Sequence, residues 1–151
     1  MIFCDMDGVI VNFDEGIKKI CGAYPKDLTR PQMWNKVIDT PNYWVDLEQL
    51  PHAKDLISYL RPHGFKILTG LPVHGYDKAA REKVLWIKKH FGDDIEVICC
   101  LTKDKSTYCK KGDVLIDDRQ QTITDWQKAG GIGICHTSWE STLAELKKNG
   151  Y

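Results

Sequence analysis

The chain contains no apolar run approaching the roughly 20 residues that a membrane-spanning helix requires. It has no internal repeat and no low-complexity linker. Charge of one sign is not in excess: 21 Lys plus Arg stand against 21 Asp plus Glu. No global field therefore makes nucleic acid or an anionic membrane an obligatory partner. The six cysteines, Cys4, Cys21, Cys99, Cys100, Cys109 and Cys135, include no C-x-x-C pair. Reduced, mostly buried thiols are expected rather than a zinc site or a disulfide framework. The chain reads as starting directly in a strand, with no room for a secretory signal, so a soluble cytoplasmic protein is the expectation.

What is present is a chain of 151 residues, suited to one compact domain with a core of its own. Its most informative stretch is Ile2-Phe3-Cys4-Asp5-Met6-Asp7-Gly8-Val9-Ile10. A short apolar run stops there at two carboxylates one residue apart. Where a strand frays into a loop, both can turn toward a site above the strand end. Adjacent like charges repel, and a divalent cation or a shared proton is the usual remedy. The plainer alternative is a solvated Asp-x-Asp-Gly turn.

The remainder alternates strands and helices. Residues 14–22 have helical spacing, with Ile17, Ile20 and Cys21 on one side. From 24 to 51, Pro25, Pro31, Pro41 and Pro51 frame Trp34, Tyr43 and Trp44, which reads as short helices in an insertion. A helix is predicted over 53–60, then a strand over 65–68 delivered to Thr69-Gly70. Residues 77–91 form the best helix, with an apolar stripe of Ala80, Val84, Ile87 and Phe91 and a stop at Gly92. A third strand is predicted over 95–100, with Lys103 and Lys105 in the loop beyond, and a fourth over 114–116, ending at Asp117-Asp118. A helix over 123–129, a strand over 132–135 and a helix over 138–148 capped by Ser138 complete the chain. This alternation predicts an α/β fold, a mostly parallel five-stranded sheet covered on both faces.

In such a fold the strands' carboxyl ends share one edge, and ligands bind where strand order reverses. Asp5 and Asp7 end strand one, Thr69 ends strand two, Lys105 follows strand three, and Asp117 and Asp118 end strand four. This set can hold Mg²⁺ through oxygen ligands, with Lys105, Thr69 and the Gly70 backbone N–H helping to neutralise a phosphate. A carboxylate can also attack phosphorus while its neighbour passes a proton to the leaving oxygen.

Phe3-Cys4-Asp5-Met6-Asp7-Gly8-Val9, Ile67-Leu68-Thr69-Gly70, Lys105 and Leu115-Ile116-Asp117-Asp118-Arg119 resemble, in order, the four motifs of haloacid dehalogenase-superfamily phosphatases. Within them the chain is most similar to the 5′(3′)-deoxyribonucleotidase family, through Asp5 to Val9, the 86–92 helix end and the block from Leu101 to Asp118. The resemblance implies a Rossmann-like three-layer α/β/α core over 1–13 and 65–151, with 14–64 forming a small helical cap, inserted after the first strand, and its return helix. It implies Asp5 as nucleophile and metal ligand, and Asp7 as general acid and base that also gives the metal its main-chain carbonyl. Thr69 and Lys105 would bind phosphate, with Lys105 also orienting Asp5. Asp117 would bind Mg²⁺ directly, and Asp118 would act from behind the direct ligands or through water. The stretch from Tyr108 to Asp113 is longer than the family pattern, which leaves Lys103 as the alternative to Lys105.

Phe13 matches a family position that stacks on the base, and Trp34, Tyr43 and Trp44 could add flat surface, each stack being worth roughly 1 to 3 kcal/mol. The alternative is that these rings form the cap's own small core. His74 follows Thr69 and either faces substrate or is a solvated loop histidine. His52, His63, His90 and His136 lack ligand-like spacing. The expectation is an Mg²⁺-dependent phosphomonoesterase acting on deoxyribonucleoside monophosphates through an aspartyl-phosphate. Sugar phosphates and polynucleotide 3′-phosphate ends are the enzymatic alternatives, and a receiver-like signalling module is the alternative of another class. Partners would be the small phosphomonoester and neither membrane nor nucleic acid, with a homodimer left open.

Overall fold

A computed structural model describes residues 1–151. Strands β1 (Ile2–Cys4), β2 (Phe65–Leu71), β3 (Val97–Leu101), β4 (Val114–Asp117) and β5 (Ile132–Cys135) form one five-stranded sheet in the order β3-β2-β1-β4-β5. Every pairing is parallel, with Cys4 opposite Ile67 on one side and Ile116 on the other. The central strands β1 and β4 are buried throughout, as the apolar runs Ile2-Phe3-Cys4 and Val114-Leu115-Ile116 favour, whereas β3 and β5 at the edges are largely half-buried.

Side chains alternate between the two faces of the sheet. Phe3, Leu68 and Leu115 point to one face, where Ile123 and Trp126 of α5 (Gln120–Lys128) cover them. Ile2, Cys4, Ile67, Val114 and Ile116 join the larger core on the other face. That core takes in α1 (Phe13–Cys21), α3 (Ala53–Leu60), α4 (Tyr76–Phe91) and α6 (Trp139–Lys148), together with Val37 of α2 (Arg30–Asp39). The result is a three-layer α/β/α architecture. No helix is long and apolar enough to cross a membrane.

Local signals account for the helix ends. Asn12 caps α1, which stops at Gly22 in the left-handed conformation at φ 76°. Thr29 and Gln32 cap α2 reciprocally, as Ser138 and Ser141 cap α6. The 24–51 insertion holds a 3₁₀ turn at Pro25–Asp27 and α2, matching the short helices expected.

Several details differ from the sequence reading. β2 continues to Leu71, so Thr69 and Gly70 lie inside the strand, opposite Cys99 and Cys100. β3 begins at Val97, two residues late, and Lys103 and Lys105 sit on a 3₁₀ helix (Thr102–Tyr108) rather than a loop. The buried face of α4 is Ala79, Glu82, Lys83, Trp86 and Ile87, rotated from the predicted stripe, in which only Ile87 is fully buried. All six cysteines are free thiols, with Cys4 and Cys100 buried and the others half-buried.

Candidate active site

The chain runs from β1 to β2 and β3 on one side, then crosses to β4 and β5 on the other. The crevice between β1 and β4 is therefore the point where strand order reverses. Asp5 stands at its mouth, its backbone N–H donating to Ile116 O at 2.9 Å. The chain then turns so tightly that the N–H groups of Val9, Ile10 and Val11 all point to Met6 O. Gly8 serves this turn in two ways. Its φ of 75° is one that side chains rarely tolerate, and a Cβ there would lie 2.2 Å from Asp118 Oδ2.

The repulsion expected between Asp5 and Asp7 is met by two buried lysines, one for each carboxylate. Lys105 Nζ lies 2.9 Å from Asp5 Oδ1 and donates to Asp117 Oδ2 at 2.7 Å. The contact with Asp5 is an ion pair at an angle that leaves Oδ1 without a hydrogen bond. Burial works against the charge on Lys105, but Asp5 and Asp117 more than offset it and raise its pKa. Lys103, on the same 3₁₀ segment, is exposed, so Lys105 is the lysine brought to the carboxylates.

Asp7 Oδ2 accepts from Lys83 Nζ at 2.7 Å, and Asp7 Oδ1 is buried with no hydrogen-bond partner. Burial raises the Asp7 pKa, and Lys83 partly counters it. Lys83 also donates to Thr69 Oγ1 at 2.9 Å and to Gly70 O at 2.8 Å. Sequence reasoning missed this residue. The available signal was a Glu-Lys pair one turn before Trp86 and Ile87, on the buried side of α4.

Carboxylate oxygens of Asp5, Asp117 and Asp118 lie within 4.8 Å of one another. Asp117 is fully buried; beyond its bond to Lys105, its Oδ1 accepts the Arg119 N–H at 2.9 Å. Burial, then the charge of Asp5, pushes its pKa up to about 6. Asp118, at the open rim, is pushed up to about 7 by desolvation and then by Asp5 and Asp117. Three carboxylates that resist sharing negative charge, with one Asp5 oxygen lacking a hydrogen bond, fit a small divalent cation that prefers oxygen ligands.

The aromatic residues gather beside this centre. Phe13 stacks on Trp44 at a centroid distance of 5.6 Å, and Trp34 lies 6.1 Å from Phe13 and 6.4 Å from Trp44. Lys83 Nζ stands 4.5 Å from the Trp44 ring centroid, in the range of a cation–π contact. Trp44 is buried, whereas Phe13 and Trp34 are half-buried. One side of α4 holds the insertion through residues four apart. Lys78 Nζ donates to Ile38 O at 3.1 Å, Glu82 accepts the Trp44 N–H at 3.0 Å, Trp86 donates to Leu47 O at 2.7 Å, and His90 Nδ1 lies 2.8 Å from Gln49 Nε2. His74 is exposed in the segment before α4. His52 and His136, unremarkable in sequence, meet Nε2 to Nε2 at 3.1 Å.

Residues 14–145 match the model of a family described as 5′ nucleotidase, deoxy (pyrimidine), cytosolic type C protein. The matched region contains Thr69, Lys83, Lys105, Asp117 and Asp118 and begins just beyond the Asp5-Asp7 turn. The mitochondrial 5′(3′)-deoxyribonucleotidase of Mus musculus is 29% identical over 168 residues, 94% of this chain and 71% of that protein. A Bordetella pertussis protein whose name proposes the same activity is 31% identical over 84 residues; the match takes in 55% of this chain and 44% of that protein. Among solved structures, a hydrolase of Streptococcus pneumoniae TIGR4 superposes with a TM-score of 0.60 at 13% identity, covering 97% of both chains. A haloacid dehalogenase-family hydrolase of Deinococcus radiodurans R1, solved with bound phosphate and sodium, gives 0.53 at 13% identity, covering 99% of this chain and 87% of its own.

Proposed function

The chain belongs to the family described as 5′ nucleotidase, deoxy (pyrimidine), cytosolic type C protein, a family of haloacid dehalogenase-type phosphatases, and from that premise we propose a Mg²⁺-dependent 5′(3′)-deoxyribonucleotidase. Its substrates are deoxyribonucleoside monophosphates. The observation that carries this reading is the convergence of Asp5, Asp117 and Asp118 beside Lys105, at the crevice where strand order reverses.

In this reading Asp5 attacks phosphorus and becomes an aspartyl-phosphate. Asp7 first gives a proton to the leaving oxygen and then takes one from the hydrolytic water. Thr69 and Lys105 hold the phosphoryl oxygens, with the Gly70 backbone beside them. Mg²⁺ would be held by Asp5, the Asp7 main-chain carbonyl, Asp117 and Asp118, and when bound it supplies positive charge against the charge that develops on the phosphoryl group.

Residues 14–64 serve as a small cap that keeps water from the site, and Phe13, Trp34 and Trp44 offer the surface on which a base stacks. Six unpaired thiols suit the reducing environment of the cytoplasm. Membership of a phosphatase family leaves the receiver-like alternative without support.

The test is phosphate release, with Mg²⁺ and with chelator, from deoxy- and ribonucleoside monophosphates, sugar phosphates and a 3′-phosphorylated oligonucleotide. Preferential turnover of deoxynucleotides, abolished by Asp5→Asn and by chelator, is the expected result. Turnover of another ester alone would keep the chemistry and remove the nucleotidase assignment.

A further inference from the structure

Lys83 carries the most deeply buried charge that the proposed chemistry leaves without a task. Its side chain leaves α4 and ends inside the site at 1% exposure. An ammonium has three N–H donors and no acceptor. All three are engaged, with Asp7 Oδ2 at 2.7 Å, Thr69 Oγ1 at 2.9 Å and Gly70 O at 2.8 Å. The Trp44 ring lies alongside, 4.5 Å from the nitrogen.

This arrangement fixes what each neighbour can do. Because Lys83 can only donate, Thr69 Oγ1 must accept, and the single O–H of Thr69 is left to donate elsewhere. Because Asp7 is anchored through Oδ2, the oxygen left over is Oδ1, which is buried and has no partner in the protein. A buried carboxylate oxygen without a partner is costly unless a ligand or solvent atom meets it. Lys83 thus selects one oxygen of Asp7 and one direction of the Thr69 hydroxyl.

We propose that Lys83 is a positioning residue of this site: it presents Asp7 Oδ1 to the ester oxygen and turns the Thr69 hydroxyl toward the phosphoryl group. The inference rests on the function proposed above. In the first step an Asp5 oxygen bonds to phosphorus, the ester P–O bond breaks, and the leaving oxygen takes the proton of Asp7 Oδ1. In the second step water bonds to phosphorus as Asp7 Oδ1 removes its proton. The Asp5 O–P bond then breaks, returning the Asp5 carboxylate and inorganic phosphate.

The test compares Lys83→Met and Lys83→Arg with the unaltered protein on two esters, in Mg²⁺. One is a deoxyribonucleoside 5′-monophosphate, whose alkoxide needs a proton to leave. The other is p-nitrophenyl phosphate, whose phenolate leaves without one. Loss of a well-placed general acid costs about 100-fold or more, so Lys83→Met should lower kcat on the nucleotide by about that factor with KM little changed. On the aryl ester the loss in kcat/KM, which reports only the steps up to release of the phenolate, should stay under about 10-fold, because that leaving group does not draw on Asp7. Lys83→Arg, which keeps the charge, should recover part of the difference. Thermal melts establish that each variant is folded, and Lys83→Gln replaces Lys83→Met if the latter is not. Equal losses of kcat/KM on both esters, or no loss on the nucleotide, would overturn the positioning role while leaving the nucleotidase assignment intact. If the unaltered protein released phosphate from neither ester, the proposed function would fail and this inference with it.

Discussion

The carboxylate of Glu82 accepts the backbone N–H of Trp44 at 3.0 Å, joining two buried residues 38 positions apart in the chain. Glu82 is the second rung of the series Lys78, Glu82, Trp86 and His90, whose four-residue spacing places them on one side of α4. A core helix thus grips the segment that carries the aromatic rings, and the neighbouring Lys83 reaches into the carboxylates from the same turn. Breaking the Glu82 rung should loosen Trp44. Glu82→Ala leaves a buried N–H unsatisfied, a loss of about 1 to 3 kcal/mol. The midpoint of urea unfolding should fall accordingly, with Glu82→Gln milder because its amide oxygen can still accept.

The choice between the two lysines of the 3₁₀ segment can be read in a single pair of variants. Lys105→Met leaves Asp5 and Asp117 without their shared cation. Removing one partner of a buried ion pair costs about 3 to 5 kcal/mol. That variant should unfold at markedly lower urea and show no phosphatase turnover. Lys103→Ala, altering an exposed side chain, should stay within about twofold of the unaltered protein in kcat, a change of only a few tenths of a kcal/mol in barrier height.

Replacement of the nucleophile should separate chemistry from folding. Asp5→Asn should abolish phosphate release while the protein still folds, because Lys105 keeps its hydrogen bond to Asp117. The Asp118 carboxyl, held up by burial and then by Asp5, should titrate at lower pH in Asp5→Asn. Carboxyl-carbon NMR shifts across a pH series would report it, and an unmoved Asp118 titration would contradict the proximity of these groups.

Stability should depend on pH and Mg²⁺ together. Asp117 and Asp118 have folded pKa values of about 6 and about 7, raised above the ordinary carboxylate value by burial first and neighbouring charge second. Between about pH 4 and pH 7 the folded chain keeps protons that the unfolded chain has lost, so these two groups destabilise the fold progressively as pH rises. His136 acts with the opposite sign. Burial, then His52, lowers its pKa to about 4, and its contribution is lost as pH falls from the ordinary histidine range toward that value. Because bound metal requires ionised carboxylates, the rise in melting temperature on adding Mg²⁺ should be larger at about pH 7.5 than at about pH 5. Taking the difference with and without Mg²⁺ cancels His136, which is common to both.

The rings divide by burial. Trp44→Ala removes a buried indole from the core and should cost about 3 to 5 kcal/mol in stability. Trp34→Ala and Phe13→Ala, altering half-buried rings, should cost less. If these two rings carry a base, the substitutions should raise KM for a nucleotide by about 5- to 100-fold and leave KM for deoxyribose 5-phosphate unchanged. Equal changes on both substrates would make the rings purely structural.

The sequence by itself determined the sheet and much of the site. Short unbroken apolar runs such as Val114-Leu115-Ile116, bounded by turn residues, read as buried strands, and their alternation with helices points to a parallel sheet with the carboxyl ends at one edge. Asp5, Lys105 and Asp117 were legible because they lie at or just beyond those ends, and Thr69 because it stands two residues inside the end of β2. The register of helices was not. Periodicity places an apolar stripe on α4 but cannot tell a lysine facing water from one facing three acceptors, since both interrupt the stripe in the same way. That Lys83 is buried follows only from Asp7, Thr69 and Gly70 being assembled in front of it by strands distant in sequence. The His52–His136 contact and the Glu82–Trp44 bond have the same origin. Spacing records which groups share an element, whereas burying a charge or a polar hydrogen is tolerated only once partners from other elements are in place, and only the tertiary structure brings them there.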